Sequence, residues 1–587
     1  MLSKLLTLGA RKNHLASLAP YLARYKTRLL VGSLMVVLTN LAAVTIPWVL
    51  RNAIDHLRVE ISSDLLVKYS LLIVFISGVE GFFRYLMRHI LIGVSRNIEY
   101  DLRNNLFRHL QSLSQSFYDR NHTGDLMSKA TNDLSAVRMF LGPGIMYSIN
   151  TFFTGTFVIV ILVNINAYLA IISLAPLLAV SYIVKYFGYQ IHERFKKIQE
   201  QFSEITTLVQ ENISGIRVVK SYNQERAFIR RFRMANDDYI QKNLSLVKIG
   251  GIFSPLLTFL LSLSTLALLW YGGNQVINES ITLGDFVAFM AYLAMLTWPT
   301  IALGLVVNIF ERGSASMGRI NAIFATKSDI HVNNPTTPKR LWGNIEVKNL
   351  TFSYNGNTIL KNISFQAKRG TTTAIVGNTG SGKSTLTNLL CRLYPVASET
   401  IFIDGLDINN IPLKTLRKII GYVPQETFLF SETIAQNIAF GNHSSSKNII
   451  KKVAEISNIW PEIQEFPKKL ETFVGERGVT LSGGQKQRIA ISRALLVAPK
   501  IIILDDALAN VDTHTEDIIL NRLTRELSER TTILISHRIS TVRMADQILV
   551  LENGKIVERG NHNELLTLNG YYADLYQKQL LREELEL

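Results

Sequence analysis

The pattern of apolar and polar positions divides the chain near residue 311. Before that point, long apolar runs alternate with polar stretches; after it, short apolar runs are separated by turns rich in glycine and charge. The long runs lie at about 29–54, 65–87, 143–164, 167–187, 251–277 and 283–309. Each has the ~20 residues that a helix needs to cross ~30 Å of hydrocarbon. A buried helix of a soluble core can imitate one such run, but hardly six. Pro47, Pro176, Pro255 and Pro299 fall inside or at the ends of the runs, a position that membrane helices tolerate because neighbours re-satisfy the freed backbone.

The polar stretches between the runs set an orientation. The three short loops, after the first, third and fifth runs, contain one basic residue, Arg58, whereas residues 185–248 contain twelve Lys/Arg and residues 93–142 contain six. The excess of positive charge places the N-terminus and the two long loops in the cytoplasm. Ser95–Phe117 and His192–Val209 are polar and helix-compatible, so the spans are expected to continue as helices beyond the membrane. Phe117–Asp133 and Gln210–Glu225 carry turns and are placed to touch a cytoplasmic domain. Residues 1–28 hold six basic residues and no acid, and Leu15–Tyr25 mixes apolar and basic positions at helical spacing. That pattern suits an amphipathic helix on the membrane surface rather than a cleaved signal.

After the sixth run, 311–343 reads as a linker with a loop at Asn333–Pro338, and 344–587 as a soluble α/β domain. Ile345–Tyr354 alternates like a half-buried strand. Thr371–Val376, Ile501–Leu504 and Thr532–Ile535 are apolar and β-branched, as strands buried on both faces are. The organisation expected is therefore an N-terminal interfacial segment (1–28), a six-helix membrane domain with cytoplasmic extensions (29–310), the linker, and the α/β domain. Composition agrees: 587 residues are too many for one domain, 48% are hydrophobic, and the mean hydropathy is +0.18. The net charge of +16 is accounted for largely by the cytoplasmic loops, without nucleic acid as a partner. A single cysteine, Cys391, excludes an intrachain disulfide framework and cysteine-rich metal sites.

The strongest chemical signal is Gly377–Asn378–Thr379–Gly380–Ser381–Gly382–Lys383–Ser384–Thr385, which reads G-x-x-x-x-G-K-S between an apolar strand and an apolar helix. Glycines let the backbone curl so that successive N–H groups face phosphate oxygens, and the following helix adds its positive end. Lys383 is placed for the terminal phosphates of ATP and the Ser384 hydroxyl for Mg²⁺. Ile501–Leu504 runs into Asp505 and Asp506. At a strand end beside a phosphate loop, Asp505 suits Mg²⁺ and Asp506 suits the attacking water. Gln425 offers a neutral oxygen to the metal or the water. His537 offers a donor to the γ-phosphate, and Tyr354 a face for adenine. Leu481–Ser482–Gly483–Gly484–Gln485 opens a second helix, Lys486–Leu496, and so provides a second anion-ready end. One nucleotide has no room for two such ends from the same domain, so this one is expected to complete the site of a partner subunit.

In this order the motifs resemble those of the ATP-binding-cassette (ABC) exporters, in the half-transporter form of the bacterial multidrug and lipid exporters: six spans followed by one cassette. The resemblance covers nearly the whole chain. It implies a type I exporter membrane domain fused to an α/β P-loop cassette. It also implies ATP and Mg²⁺ as cofactors, a second half-transporter and membrane lipids as partners, and a small amphiphilic cargo. Asp512 matches the family's motif after the strand end. Val474–Gly478 resembles the segment that contacts the membrane domain. Thr123–Gly124–Asp125 and Ser214–Gly215–Ile216 resemble the coupling segments, the second of which reaches the opposite subunit's cassette.

One departure stands out. The family has Asp-Glu at the strand end, and here the pair is Asp505–Asp506, followed by Ala509–Asn510–Val511–Asp512 in place of Ser-Ala-Leu-Asp. Asp is one methylene shorter than Glu, so its carboxylate falls roughly 1.5 Å short, and an error of ~1 Å can cost about a hundredfold in rate. In the family such changes mark the subunit of a heterodimer whose own site turns over slowly while its intact signature serves the partner. A homodimer with a slower Asp-based site, and a regulatory ATP-binding subunit, are the alternatives. In the second run Glu80, Arg84 and Arg88 recur every four residues on one helix face, with Glu80 roughly 22 Å from the outer end at 1.5 Å per residue. Either Glu80 pairs with Arg84, or it faces a cavity and favours cationic amphiphiles.

Overall fold

A computed structural model describes residues 14–585 apart from 61, 333–334, 337, 339, 355 and 476–477. The start of the N-terminal segment, part of the Asn333–Pro338 loop, and Glu476 and Arg477 of the Val474–Gly478 segment therefore lie outside the described residues. Two compact units are present. One is built from residues up to Gln111 and from His122–Thr326, the other from Ser112–Asn121 and Lys327–Leu587.

The first unit is helical. A 3-10 turn, His14–Leu18, and a short helix, Ala19–Arg24, lead into α1 (Lys26–Val59) and the 50-residue α2 (Ser63–Ser112). After α3 (Gln115–Arg120) come α4 (Thr123–Ile165), α5 (Ala167–Ser214), α6 (Ile216–Ser221), α7 (Glu225–Ile277) and α8 (Leu283–Ala325). Five of these helices, α1, α2, α4, α7 and α8, are long and apolar enough to span a membrane. The fourth apolar run falls in α5, where the stretch counted from described side chains is Ala167–Pro176. Helices α2 and α5 run far beyond the apolar stretches, as their polar continuations predict. Prolines lie inside several of the long helices. Pro47, Pro255 and Pro299 sit inside helices, and Pro143 lies in a π-helical turn, Phe140–Gly144, where a missing N–H favours an extra residue per turn. Polar groups inside the bundle find each other: Asn40 Nδ2 donates to Asn150 Oδ1 at 3.1 Å, Thr154 donates to Asn40, and Tyr292 donates to the Val44 carbonyl at 2.8 Å.

The second unit carries two sheets. Strands β1 (Ile345–Tyr354), β2 (Asn357–Ala367), β4 (Ile401–Ile403) and β5 (Leu406–Asp407) form an antiparallel sheet in the order β2-β1-β4-β5. The larger sheet runs β10-β9-β3-β8-β7-β6, from β3 (Thr372–Val376), β6 (Ile420–Val423), β7 (Ile501–Asp505), β8 (Thr531–Ile535), β9 (Gln547–Glu552) and β10 (Lys555–Gly560). All its pairings are parallel except β9 with β10. Its central strands read as unbroken apolar runs because each face meets its own core. Ile501 and Ile503 belong to one buried cluster, Ile502 and Leu504 to the other, as the two-residue period of a strand requires. Among the helices around the sheets are α9 (Lys383–Leu390), α10 (Gly483–Leu496), α11 (Thr513–Leu527), α12 (Ile539–Val542) and α13 (Tyr571–Leu585).

Candidate functional site

Four adjacent parallel strands of the larger sheet end on one edge. β3 runs into Gly377–Thr385, β8 is followed by His537, β7 ends at Asp505 with Asp506 next, and Gln425 lies two residues beyond β6. Open parallel sheets bind their ligands outside these carboxyl ends.

The loop after β3 is closely bound by its surroundings. A Cβ on Gly377 would lie 2.1 Å from the Leu551 carbonyl oxygen, and Gly382 adopts φ 101 as it opens α9, so both positions require glycine. Gly382 supplies no side-chain cap, which leaves the first N–H groups of α9 for another acceptor. Lys383 is buried, and its amino group donates to the carbonyls of Gly377 at 2.8 Å and Asn378 at 2.9 Å. Burial lowers its pKa, against the pull of Asp505 and Asp506. Ser381 Oγ is buried and takes no partner among the described residues. Asn378, Thr379 and Gly380 form the exposed rim, with Thr385 partly buried behind it. An uncapped helix start, a buried ammonium and an unpartnered hydroxyl fit a polyphosphate.

Asp505 is 1% exposed. Ser384 Oγ donates to its Oδ1 at 3.2 Å, and Thr387 Oγ1 to its Oδ2 at 3.3 Å. Burial raises its pKa, opposed by those two hydroxyls. A carboxylate so placed lacks positive charge at hydrogen-bond distance, and a hard divalent cation with oxygen ligands fits it. Among the described residues no three His, Cys, Asp or Glu side chains cluster as a metal site. That suits Mg²⁺, which takes one or two carboxylates and completes its shell with phosphate and water. Gln425 is exposed and has no hydrogen bond among the described residues, so its amide oxygen is available to the same edge. Asp506 stands in the left-handed region at φ 50, with its N–H donated to the Ile535 carbonyl at 3.0 Å and its carboxylate unbonded among the described residues. His537 is exposed two residues beyond the end of β8, the strand that pairs with β7.

Tyr354 ends β1 with its ring edge-on to Phe352, centroids 4.9 Å apart, and to Tyr394, 5.2 Å apart. Tyr394 in turn donates to Asp119 Oδ2 at 2.8 Å; burial, then this bond, push the phenol's pKa up. Asp119 lies on α3, in Ser112–Asn121, which belongs to the second unit. Asp119 falls within Phe117–Asp133, the segment expected from the sequence to touch a cytoplasmic domain, and Thr123–Gly124–Asp125 follow it. Those residues open α4 in the first unit, where Asp125 pairs with Lys129 at 2.6 Å.

The signature residues stand apart from the phosphate loop. Ser482 caps α10, accepting from the Gln485 N–H at 3.2 Å while Gln485 Oε1 accepts from the Ser482 N–H at 2.8 Å. Gly483 packs on Asn510, and a Cβ on Gly484 would lie 2.8 Å from the Asn510 carbonyl oxygen. No hydrogen bond among the described residues joins 482–485 to 377–385. Asp512 caps α11, accepting from the Thr515 N–H at 2.8 Å. Cys391 is buried, with its pKa raised to about 12 by burial, and is no nucleophile. In the helical unit Glu80 pairs with Arg84, so its charge is met within its own helix. Around Gly215, between α5 and α6, a cleft of about 350 Å³ is lined by Leu208, Ile213, Ile216, Val219, Phe228 and Phe232. Sequence reasoning missed Thr387, which lies one turn beyond Ser384, and it missed Tyr394 and Asp119, whose meeting no local pattern announces.

A phosphate-binding sheet edge in one unit and membrane-spanning helices in the other define a transporter driven by nucleotide. Residues 29–300 match the ABC transporter transmembrane region, and residues 360–509 match the ABC transporter family. The chain belongs to the ABC transporter family, with the type I exporter fold. It is 37% identical over 573 residues to the probable multidrug resistance ABC transporter ATP-binding/permease protein YheI of Bacillus subtilis, covering 97% of this chain and 98% of that one. It is 34% identical over 558 residues to the ATP-dependent lipid A-core flippase of Syntrophus aciditrophicus, covering 95% and 93%. A bacterial Atm1-family ABC exporter solved with ATP bound superposes with a TM-score of 0.78 at 28% identity, covering 94% of this chain and 99% of that one.

Proposed function

We propose that the chain is one half of a dimeric exporter that uses ATP to move an amphiphilic substrate, a drug, lipid or peptide, outward across the cytoplasmic membrane by alternating access. The observation that carries this reading is the single sheet edge on which a phosphate loop, Asp505, Gln425 and His537 meet, in a chain that also carries membrane-spanning helices. Lys383 and the backbone of Gly377–Thr385 hold the phosphates. Ser384, Asp505 and Gln425 hold Mg²⁺, which when bound neutralises charge on the phosphates. Tyr354 stacks on adenine. Asp506 orients the attacking water, and His537 donates to the γ-phosphate. Ser482–Gln485 presents its helix start to the γ-phosphate in the partner's site, and the apolar cleft around Gly215 receives the partner's cassette. The N-terminus and cassette lie in the cytoplasm.

The preferred assembly is a heterodimer in which this chain's own site is the slower one. Asp506 supports this reading: it is short, and it sits in a backbone region that Asp enters more readily than Glu. A homodimer with a slow site, or a regulatory subunit with little turnover, is the competing reading that the same residue favours. The Glu80–Arg84 pair meets the charge of Glu80, so this acid does not by itself favour cationic cargo.

ATP hydrolysis by the purified chain, alone and with its partner, discriminates these readings. Low turnover alone and substrate-stimulated turnover together support the heterodimer. Transport that survives both Lys383→Ala and Ser482→Ala rejects the exporter reading. Asp506→Glu is expected to raise turnover by less than the ~100-fold that side-chain reach alone suggests, because Glu is less at ease at a positive φ.

A further inference from the structure

His537 makes no side-chain hydrogen bond among the described residues, so its aim depends on the backbone that carries it. The next residue anchors that backbone. Arg538 donates to the carbonyls of Val511 at 3.0 Å and Ala509 at 3.2 Å, and it pairs with Glu516. Its own N–H donates to Ser536 Oγ at 3.0 Å. Glu516 is 2% exposed, and its other oxygen accepts from Thr541 on α12. At the start of the same helix, the Ile539 N–H donates to Gln579 Oε1 of α13 at 2.8 Å. One guanidinium thus ties three segments together: the turn bearing His537, the 509–512 loop, and α11.

The 509–512 loop is itself bound to the signature helix. Gln487 Oε1 accepts from the Asn510 N–H at 3.0 Å, and Gln487 Nε2 donates to the Asp506 carbonyl at 3.4 Å. A path therefore runs from His537 along the backbone to Arg538, from Arg538 to Ala509 and Val511, and from Asn510 between them to Gln487 in α10. A buried ion pair is weak evidence of a role in stability, since apolar residues of similar volume often serve as well. What the planar fork supplies is geometry, because Lys cannot reach both carbonyls and the carboxylate at once.

We propose that Arg538 is a positioning residue. It holds His537 and the 509–512 loop as one rigid piece, so that engagement of the γ-phosphate by this chain also sets the signature it offers to the partner. The inference rests on the proposed role of His537. The test is single-turnover hydrolysis of Mg-ATP by the full-length chain assembled with its partner in phosphatidylethanolamine–phosphatidylglycerol vesicles, with the assembly in excess over nucleotide. Arg538→Lys, His537→Ala and the double variant are compared, together with ATP affinity and melting temperature. Arg538→Lys is expected to slow hydrolysis about 10- to 100-fold, with affinity within about twofold of the parent and an unchanged melting temperature. The double variant should be no slower than His537→Ala, as for residues that act as a unit. An Arg538→Lys chain at the parental rate overturns the proposal. So does a loss that multiplies with that of His537→Ala, or one that follows melting temperature. Should His537→Ala itself hydrolyse at the parental rate, the γ-phosphate reading fails and takes this inference with it.

Discussion

The cassette contains two helices that start from glycine-rich loops, and they are built in opposite ways. α9 opens on a glycine without a side-chain cap, and its first side chain, Lys383, is drawn back onto the carbonyls of its own loop. α10 opens on Ser482, which with Gln485 closes a reciprocal cap on the helix. In the first case the loop is buried, held against Leu551, and left with an unpartnered hydroxyl at Ser381. In the second, Ser482 and Gly483 are exposed, and the packing lies behind them, against Asn510. The contrast is between a helix start with bonding groups left open to a ligand and one whose own side chains already close it. An uncapped N-terminus leaves N–H groups to an acceptor from outside. A capped one keeps its shape when the other half of the site is absent, as a surface offered to a partner must.

The largest expected effect falls on the uncapped end. Lys383→Ala should reduce ATP binding by this chain by about a hundredfold or more, on the scale of removing a charged phosphate contact, as read by equilibrium binding of a labelled nucleotide. Ser482→Ala should leave that binding untouched and abolish the gain in turnover expected on mixing with the partner. Its cost to the fold should be only ~1 kcal/mol, the worth of a helix cap. If Ser482→Ala weakens ATP binding by this chain alone, the two ends serve one nucleotide and the comparison breaks.

Acidity gives a third, smaller effect. Because burial raises the Asp505 pKa, the folded state without metal holds this proton more tightly than the unfolded chain does. This group's contribution to stability is therefore present below the ordinary carboxylate range and is lost as pH rises through that range toward the folded value. Mg²⁺ needs the ionised form, so the Mg²⁺ dependence of ATP binding should steepen as pH falls through the same window, and Asp505→Asn should abolish that change. Smallest is Tyr394→Phe, which keeps the ring against Tyr354 but removes the bond to Asp119. It should cost ~1 kcal/mol and leave ATP affinity unchanged, while lowering the stimulation of turnover by substrate. Unaltered stimulation would mean that α3 is held to the cassette without help from this bond.

Much of this architecture was legible along the chain because its causes are local. Runs of ~20 apolar residues leave few options but a membrane-crossing helix. The strand–loop–helix around Gly377–Thr385 needs its glycines and lysine at fixed spacing, and the alternation of Ile501–Leu504 between two cores follows from the two-residue period of a strand. The Tyr394–Asp119 bond shows the limit of such reading. Phe117–Asp133 was legible as a segment placed to touch another domain, but the residue that Asp119 meets lies 275 positions away, and only the fold brings the two together.

The sequence by itself determined which residues are candidates for the chemistry, since side-chain type and spacing along one loop or strand decide what a segment can bind. The tertiary structure decided which of them share a site. The order β3-β8-β7-β6 places residues from four distant segments on one edge, while Ser482–Gln485, a second glycine-rich helix start, stands on α10 with no hydrogen bond to the phosphate loop among the described residues. Strand order and long-range contacts arise from burial of apolar faces far apart in the chain, and no local pattern encodes them.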